Sequence, residues 1–220
     1  MSETLHNRQV AGRLLALKLL AYADRSDVLV LGLPRGGVPV AYEIAKTLRV
    51  PMDVFIVRKL GVPGYEELAM GAVATGAVEI IDPDVVEEFR LSEREISSVV
   101  KAEKEELRRR ESVFHPSRAA FDIQNKTVIL TDDGIATGST MRAAIEGVRR
   151  AGAARIILAV GAAPLSTYLV LRGEADEVVC LLTPRDFRAV GEFYDEFPQL
   201  SDDDVRRLLE EAKPQMYGAA

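Results

Sequence analysis

Lys126-Thr127-Val128-Ile129-Leu130-Thr131-Asp132-Asp133-Gly134-Ile135-Ala136-Thr137-Gly138-Ser139-Thr140-Met141 is the stretch around which this 220-residue chain is organised. Thr127 to Leu130 is a β-branched and apolar run, the pattern of a buried strand, and two adjacent carboxylates and a glycine end it. Gly134 to Thr140 is small and hydroxyl-rich, after which Met141, Ala143, Ala144, Ile145 and Val148 recur at helical spacing. The order is strand, acidic pair, small loop, helix.

Each part suits a phosphorylated sugar. Backbone N–H groups of a loop feeding a helix N-terminus lack intrahelical partners and carry partial positive charge, so they can surround a phosphate that larger side chains would block. Thr137, Gly138, Ser139 and Thr140 suit that cradle. Asp132 and Asp133, one step earlier, are acceptors placed for the vicinal hydroxyls of a ribose. The same letters also describe a strand ending in an Asp-Asp-Gly turn, with Ser139 as a helix cap.

Val128 to Thr140 resembles the motif with which type I phosphoribosyltransferases bind phosphoribosyl pyrophosphate (PRPP): a hydrophobic strand, two acidic residues and a loop ending Thr-Gly-x-Thr. A second strand-loop-helix unit precedes it. Val28 to Leu33 runs into Pro34-Arg35-Gly36-Gly37 and a helical pattern at Val40, Ala41, Ile44, Ala45 and Leu48, and the glycines permit close backbone approach to an anion. The resemblance implies that Leu33 to Gly37 holds the pyrophosphate of PRPP, with a non-proline cis peptide between Pro34 and Arg35.

Asp53 to Val57 reads as a third strand, ending in Arg58-Lys59 before Gly61-Val62-Pro63-Gly64-Tyr65-Glu66-Glu67. Two cations at a strand end beside a Gly/Pro-rich stretch suit a pyrophosphate covered by a mobile lid, and the family carries its flexible loop in this region. Leu68 to Ile81 suggests a hairpin turning near Gly76. Ser92 to Arg110 reads as a long helix opened by a capping box of Ser92 with Glu95. Glu105 with Arg109 and Glu106 with Arg110 are its i,i+4 pairs, which makes Arg108-Arg109-Arg110 a solvated face. Residues 6 to 23 have the spacing of an amphipathic helix; Arg155 to Val160 and Glu177 to Leu182 read as strands, with Leu165 to Arg172 and Asp202 to Ala212 as helices.

Strands alternating with helices predict a Rossmann-like α/β fold, a parallel sheet with helices on both faces. The expected organisation is a single domain, 1–220, with its core at about 25–183, a small hood from 1–24 and 184–220, and a flexible loop. In such sheets ligands gather beyond the carboxyl ends of the strands, where all three candidate loops fall.

Composition narrows the function. A formal charge of −6 argues against a dedicated nucleic-acid binder. The apolar run Val28 to Leu33 is far too short to span a membrane, and Met1 to Asp27 lacks the apolar core of a signal peptide. One cysteine, Cys180, forms no internal disulfide and lies in an apolar run, so a reducing cytoplasm is expected.

The resemblance implies transfer of the phosphoribosyl group from PRPP to a small-molecule nitrogen acceptor. Asp132 and Asp133 would hold the ribose hydroxyls, Gly134 and Ile135, Ala136, Thr137, Gly138, Ser139 and Thr140 the 5'-phosphate, and Arg35, Gly36, Gly37, Arg58 and Lys59 the pyrophosphate. Mg2+ would arrive on the ligand and its water rather than on direct protein ligands, and a homodimer is expected. Ala136 stands where 6-oxopurine enzymes carry a base-contacting aspartate, which speaks against hypoxanthine or guanine as acceptor. Phe187 and Tyr194 in the tail are aromatic candidates for stacking on the acceptor. A non-catalytic PRPP-sensing regulator would keep the same pocket. A PRPP synthetase would need an ATP site that is not visible, and a generic Rossmann-like binder would lack coordinated anion loops.

Overall fold

The computed structural model describes residues 4–76, 78–114 and 121–216. Five parallel strands form the central sheet in the order β2-β1-β6-β7-β8: β1 is Val28–Gly32, β2 Met52–Val54, β6 Thr127–Gly134, β7 Arg155–Ala162 and β8 Glu177–Leu182. Every residue of β1 is buried, as expected of a strand covered on both faces. Val28 and Val30 of β1, with Ile129 and Ile157, face one core that holds Leu15 of α1 (Arg8–Lys18), Ile44 of α2 (Gly37–Leu48) and Val205 of α7 (Asp202–Met216). Leu29, Leu31, Val128 and Leu130 face the other core, with Met141, Ile145 and Val148 of α5 (Ser139–Arg150) and Leu171 of α6 (Leu165–Leu171). The α/β architecture with helices on both faces is therefore present.

The region after β2 differs from the sequence expectation. The third parallel strand stops at Val54, and Val57–Val62 is instead β3 of a separate antiparallel sheet with β4 (Tyr65–Ala74) and β5 (Val78–Ile81). The expected flexible loop over 58–67 is thus a paired hairpin that turns at Pro63-Gly64, where Gly64 takes φ +82°. Lone apolar runs do not reveal which sheet they join, and the β3/β4 pairing is a tertiary choice. Gly76, at φ +83°, makes the expected second turn.

After α3 (Pro83–Glu88), α4 runs from Glu93 to Phe114, beyond the expected end at Arg110. The capping box at its start is present: Ser92 N and Oγ donate to Glu95 Oε2 at 2.9 and 2.6 Å, and Glu95 N donates to Ser92 Oγ at 3.3 Å. Near its end Glu106 accepts from both Arg109 and Arg110, so the expected Glu105–Arg109 pair gives way to an i,i+3 pair. The N-terminal segment joins the tail at a parallel bridge between Leu5 and Tyr194, where Leu5 N donates to Phe193 O at 2.9 Å and Asp195 N to Leu5 O at 2.9 Å. Among the described residues no helix is long and apolar enough to cross a membrane.

Candidate functional site

Because β1 and β6 are neighbours in register, with Gly32 opposite Thr131, the loops that follow them leave the sheet side by side. The seam between them is close. Leu33 N donates to Thr131 O at 3.0 Å, and Thr131 Oγ1 donates to Gly37 O at 3.0 Å. A Cβ on Gly37 would lie 2.3 Å from Thr131 O, and one on Gly36 would lie 2.2 Å from Asp133 Oδ2. Both glycines are therefore required by the approach of this loop to β6. The peptide between Pro34 and Arg35 is cis.

Arg35 itself turns toward α7, its Nη1 3.9 Å from Asp202 Oδ1. Pro34, Arg35, Arg109, Arg110 and Asp202 line one cavity, so two of the arginines expected on a plain solvated face stand beside the loop. Glu106, which accepts hydrogen bonds from Arg109 and then from Arg110, has its carboxyl pulled down to about 2. The arginine run carried no sequence signal for this neighbourhood, because only the docking of α4 creates it.

The two aspartates have different surroundings. Asp133 is buried, and its Oδ2 accepts from Arg8 Nε at 2.7 Å. Arg8 is buried too; its Nη1 donates to Pro198 O at 2.8 Å, and its guanidinium lies 3.8 Å from the centroid of the Phe197 ring. Tyr194 Oη donates to the carbonyl of Asp133 at 2.5 Å, and burial first and the Asp133 charge second push its phenol upward. Asp132 is half-buried, and its Oδ1 accepts from Asp133 N at 2.9 Å. Desolvation first and the charge of Asp133 second push the Asp132 carboxyl well above its ordinary value, while Arg8 opposes the shift.

The small loop has the expected form. Gly138 takes φ +83° as the residue before α5, a left-handed conformation that favours glycine. Ser139 and Thr140 open the helix, where the first N–H groups lack intrahelical partners. Thr137 Oγ1 and Ser139 Oγ are 3.2 Å apart, and Thr167 Oγ1 donates to Ala136 O at 2.9 Å, tying the loop to α6. Ile135 is buried beneath it, and Gly134 is packed against Val190.

Arg58 and Lys59 both line a cavity with Pro63, Glu66 and Glu103. Arg58 is hydrogen-bonded to Glu103 of α4, its Nε donating to Oε2 at 2.7 Å. Lys59 lines a small cavity with Val57, Ser139, Thr140 and Ala143, at the mouth of the loop. Lys59 is the one of the two cations that also lines the small cavity beside the loop. The tail aromatics are also occupied by one another: Phe187 stacks on Phe193 with centroids 4.9 Å apart, and Tyr194 on Phe197 at 5.1 Å. Tyr194 is thus a buried prop under β6 rather than an open stacking platform. Cys180 is half-buried, and its thiol is pushed up to about 11, chiefly by burial.

Arg8 is the residue that sequence reasoning missed. It lay on the polar side of an amphipathic helix, and nothing local linked it to an aspartate 125 positions away.

A family model described as the phosphoribosyl transferase domain matches residues 2–197. Over 206 residues the chain is 44% identical to a Mycobacterium tuberculosis H37Rv protein that carries a provisional phosphoribosyl transferase name, covering 94% of this chain and 46% of that one. The chain therefore spans about half the length of the Mycobacterium relatives it matches. It is 27% identical over 146 residues to the bifunctional protein PyrR of Corynebacterium glutamicum, covering 66% of this chain and 57% of that protein. The crystal structure of TT1426 from Thermus thermophilus superposes with a TM-score of 0.84 at 37% identity, covering 96% of this chain and 99% of that one. A match that takes in the whole central sheet, both loops of the β1–β6 seam and the hood carrying Tyr194 means that this chain belongs to the phosphoribosyl transferase domain family.

Proposed function

We propose that this chain binds PRPP with Mg2+ and transfers its phosphoribosyl group to a nitrogen of a small planar acceptor, releasing pyrophosphate. The observation that carries the reading is the β1–β6 seam, which sets a glycine loop, an acidic pair and a helix-opening phosphate cradle at one sheet edge. Those three parts answer to the three parts of PRPP. Pyrophosphate sits against Arg35, Gly36 and Gly37, with Lys59 approaching from the hairpin. The ribose hydroxyls lie at the acidic end of β6, and the 5'-phosphate sits on Gly134 to Thr140. In the transfer, the C1'–O bond breaks with its electron pair leaving on pyrophosphate, and the acceptor nitrogen supplies the pair for the new C1'–N bond. The protein's part is to position the reactants and stabilise separating charge.

Among the described residues no group of three or more His, Cys, Asp or Glu side chains is placed to hold a metal. Mg2+ would arrive coordinated by pyrophosphate and water oxygens and would neutralise charge on the leaving group. A homodimer in a reducing cytoplasm is the proposed state, which sedimentation and fractionation decide.

A second reading, a PRPP sensor without transfer, is favoured by one observation: Phe193 and Tyr194 are buried and Tyr194 is stacked on Phe197, so neither ring is offered to an acceptor. Incubation with PRPP, Mg2+ and a panel of purine and pyrimidine bases, followed by a pyrophosphate assay, tests both. Base-dependent pyrophosphate release is expected. PRPP binding without release on any base would favour the sensor, and absence of PRPP binding would end both readings.

A further inference from the structure

We propose that Arg8 is a positioning residue that holds Asp133 as an internal strut, leaving Asp132 as the carboxylate of the pair that is presented to the sugar. The inference deepens the proposed function and rests on it. Asp133 is enclosed on every side that the geometry defines. Its Oδ2 is taken by Arg8, its carbonyl by Tyr194 Oη, and the bare backbone of Gly36 occupies the space next to its carboxylate. The side chains of Arg8 and Asp133 keep only 8% and 11% of their accessible surface, too little for a ribose hydroxyl to enter without breaking the pair. Arg8 is itself fixed by the Pro198 carbonyl and the face of Phe197, so the strut reaches from α1 through the hood to β6.

Strand alternation separates the two carboxylates. Asp133 falls in register with Ile129 and Thr131, the side of β6 on which Ile129 meets the α1/α2 core and Thr131 bonds Gly37. Asp132 falls in register with Val128 and Leu130, whose side chains share a core with Met141 and Ile145 of α5. That is the face on which the phosphate cradle opens. Asp132 is also the more accessible of the two.

Two adjacent carboxylates in a poorly hydrated site compete for charge, and a proton on either would spoil an acceptor for sugar hydroxyls. Arg8 supplies the counter-charge. Its guanidinium is among the groups that draw the Asp132 carboxyl downward against burial and the charge of Asp133. Without it the Asp132 carboxyl would rise further.

The test is calorimetry with two probes, ribose 5-phosphate and Mg2+-pyrophosphate, on the whole chain and on Arg8→Gln and Arg8→Lys. Glutamine keeps volume and hydrogen bonding without charge, whereas lysine keeps charge without the guanidinium fork. Ribose 5-phosphate affinity should fall about tenfold in Arg8→Gln, roughly the loss of one hydrogen bond to a charged group. Arg8→Lys should stay close to the parent, and pyrophosphate affinity should hold in both. Parent-like ribose 5-phosphate binding by Arg8→Gln would overturn the proposal. So would an equal fall in Arg8→Lys, or parallel loss of both probes, each of which marks a packing role only. If the parent chain binds neither probe, the PRPP reading itself fails and takes this inference with it.

Discussion

Asp132 and Asp133 share a strand end, but removing their charges should have opposite effects on stability. The folded state raises the Asp132 carboxyl above its ordinary value of 3.8, so it retains a proton that the unfolded chain has already released. Stability should therefore fall as pH climbs from the ordinary carboxylate range through the raised value, and the cost is fully present above it. Asp132→Asn should be more stable than the parent at neutral pH and show a flatter pH dependence, while binding ribose 5-phosphate less well. Urea denaturation at mildly acidic and neutral pH checks the first half, and a variant that is less stable at neutral pH would contradict it. Asp133→Asn leaves Arg8 buried without its counter-charge. It should lose about 3 kcal/mol, the lower end for breaking a buried pair, because the amide oxygen can still accept from Arg8. Unchanged stability there would mean that the Arg8–Asp133 contact is not maintained in solution.

At the level of elements, the β3/β4 hairpin replaces the loose lid that the Gly/Pro-rich letters suggest. Arg58 and Lys59 are opposite Val73 and Ala72 in a paired ladder, and Arg58 is tied to α4 through Glu103. A protease needs several extended residues freed from such pairing. Trypsin should thus leave the bonds after Arg58 and Lys59 intact in the native chain, with or without PRPP. Rapid cleavage at either bond would show that the hairpin opens on its own. Lys59, in this hairpin, lines a small cavity with Ser139 and Thr140 at the start of α5.

Across the whole molecule, the segment at residues 5–8 is joined to the segment at 193–198. The N-terminal bridge to Tyr194, the Arg8 contact with Pro198 and the Tyr194 hydroxyl on the Asp133 carbonyl join segments that are far apart in the chain. Gly161 of β7 is the seat of this assembly: a Cβ there would lie 2.0 Å from Tyr194 Oη and 2.4 Å from Asp133 O. Gly161→Ala should displace the tail at a cost of about 1 to 3 kcal/mol, the usual range for overpacking. Ribose 5-phosphate affinity should fall with it, because the acidic pair loses its prop. Full affinity in a destabilised variant would show that the hood braces the fold and not the site.

Much of this was legible in the letters alone. Alternating strand and helix periods determined the α/β class, and the small residues of 134–140 determined a tight loop that opens a helix, because backbone conformation and hydrogen-bonding capacity are local properties. Gly36 and Gly37 were identified for the same reason. Contacts between distant segments decided the rest. Whether Val57–Val62 continues the main sheet depends on which strand it pairs with, and periodicity does not encode the partner. Arg109 and Arg110 stand beside Pro34 only because α4 docks there. The unequal roles of Asp132 and Asp133 arise in the same way. Their letters are identical, but only the folded chain brings Arg8 and Gly36 to one and leaves the other half-buried, because burial and counter-charge are set by tertiary neighbours.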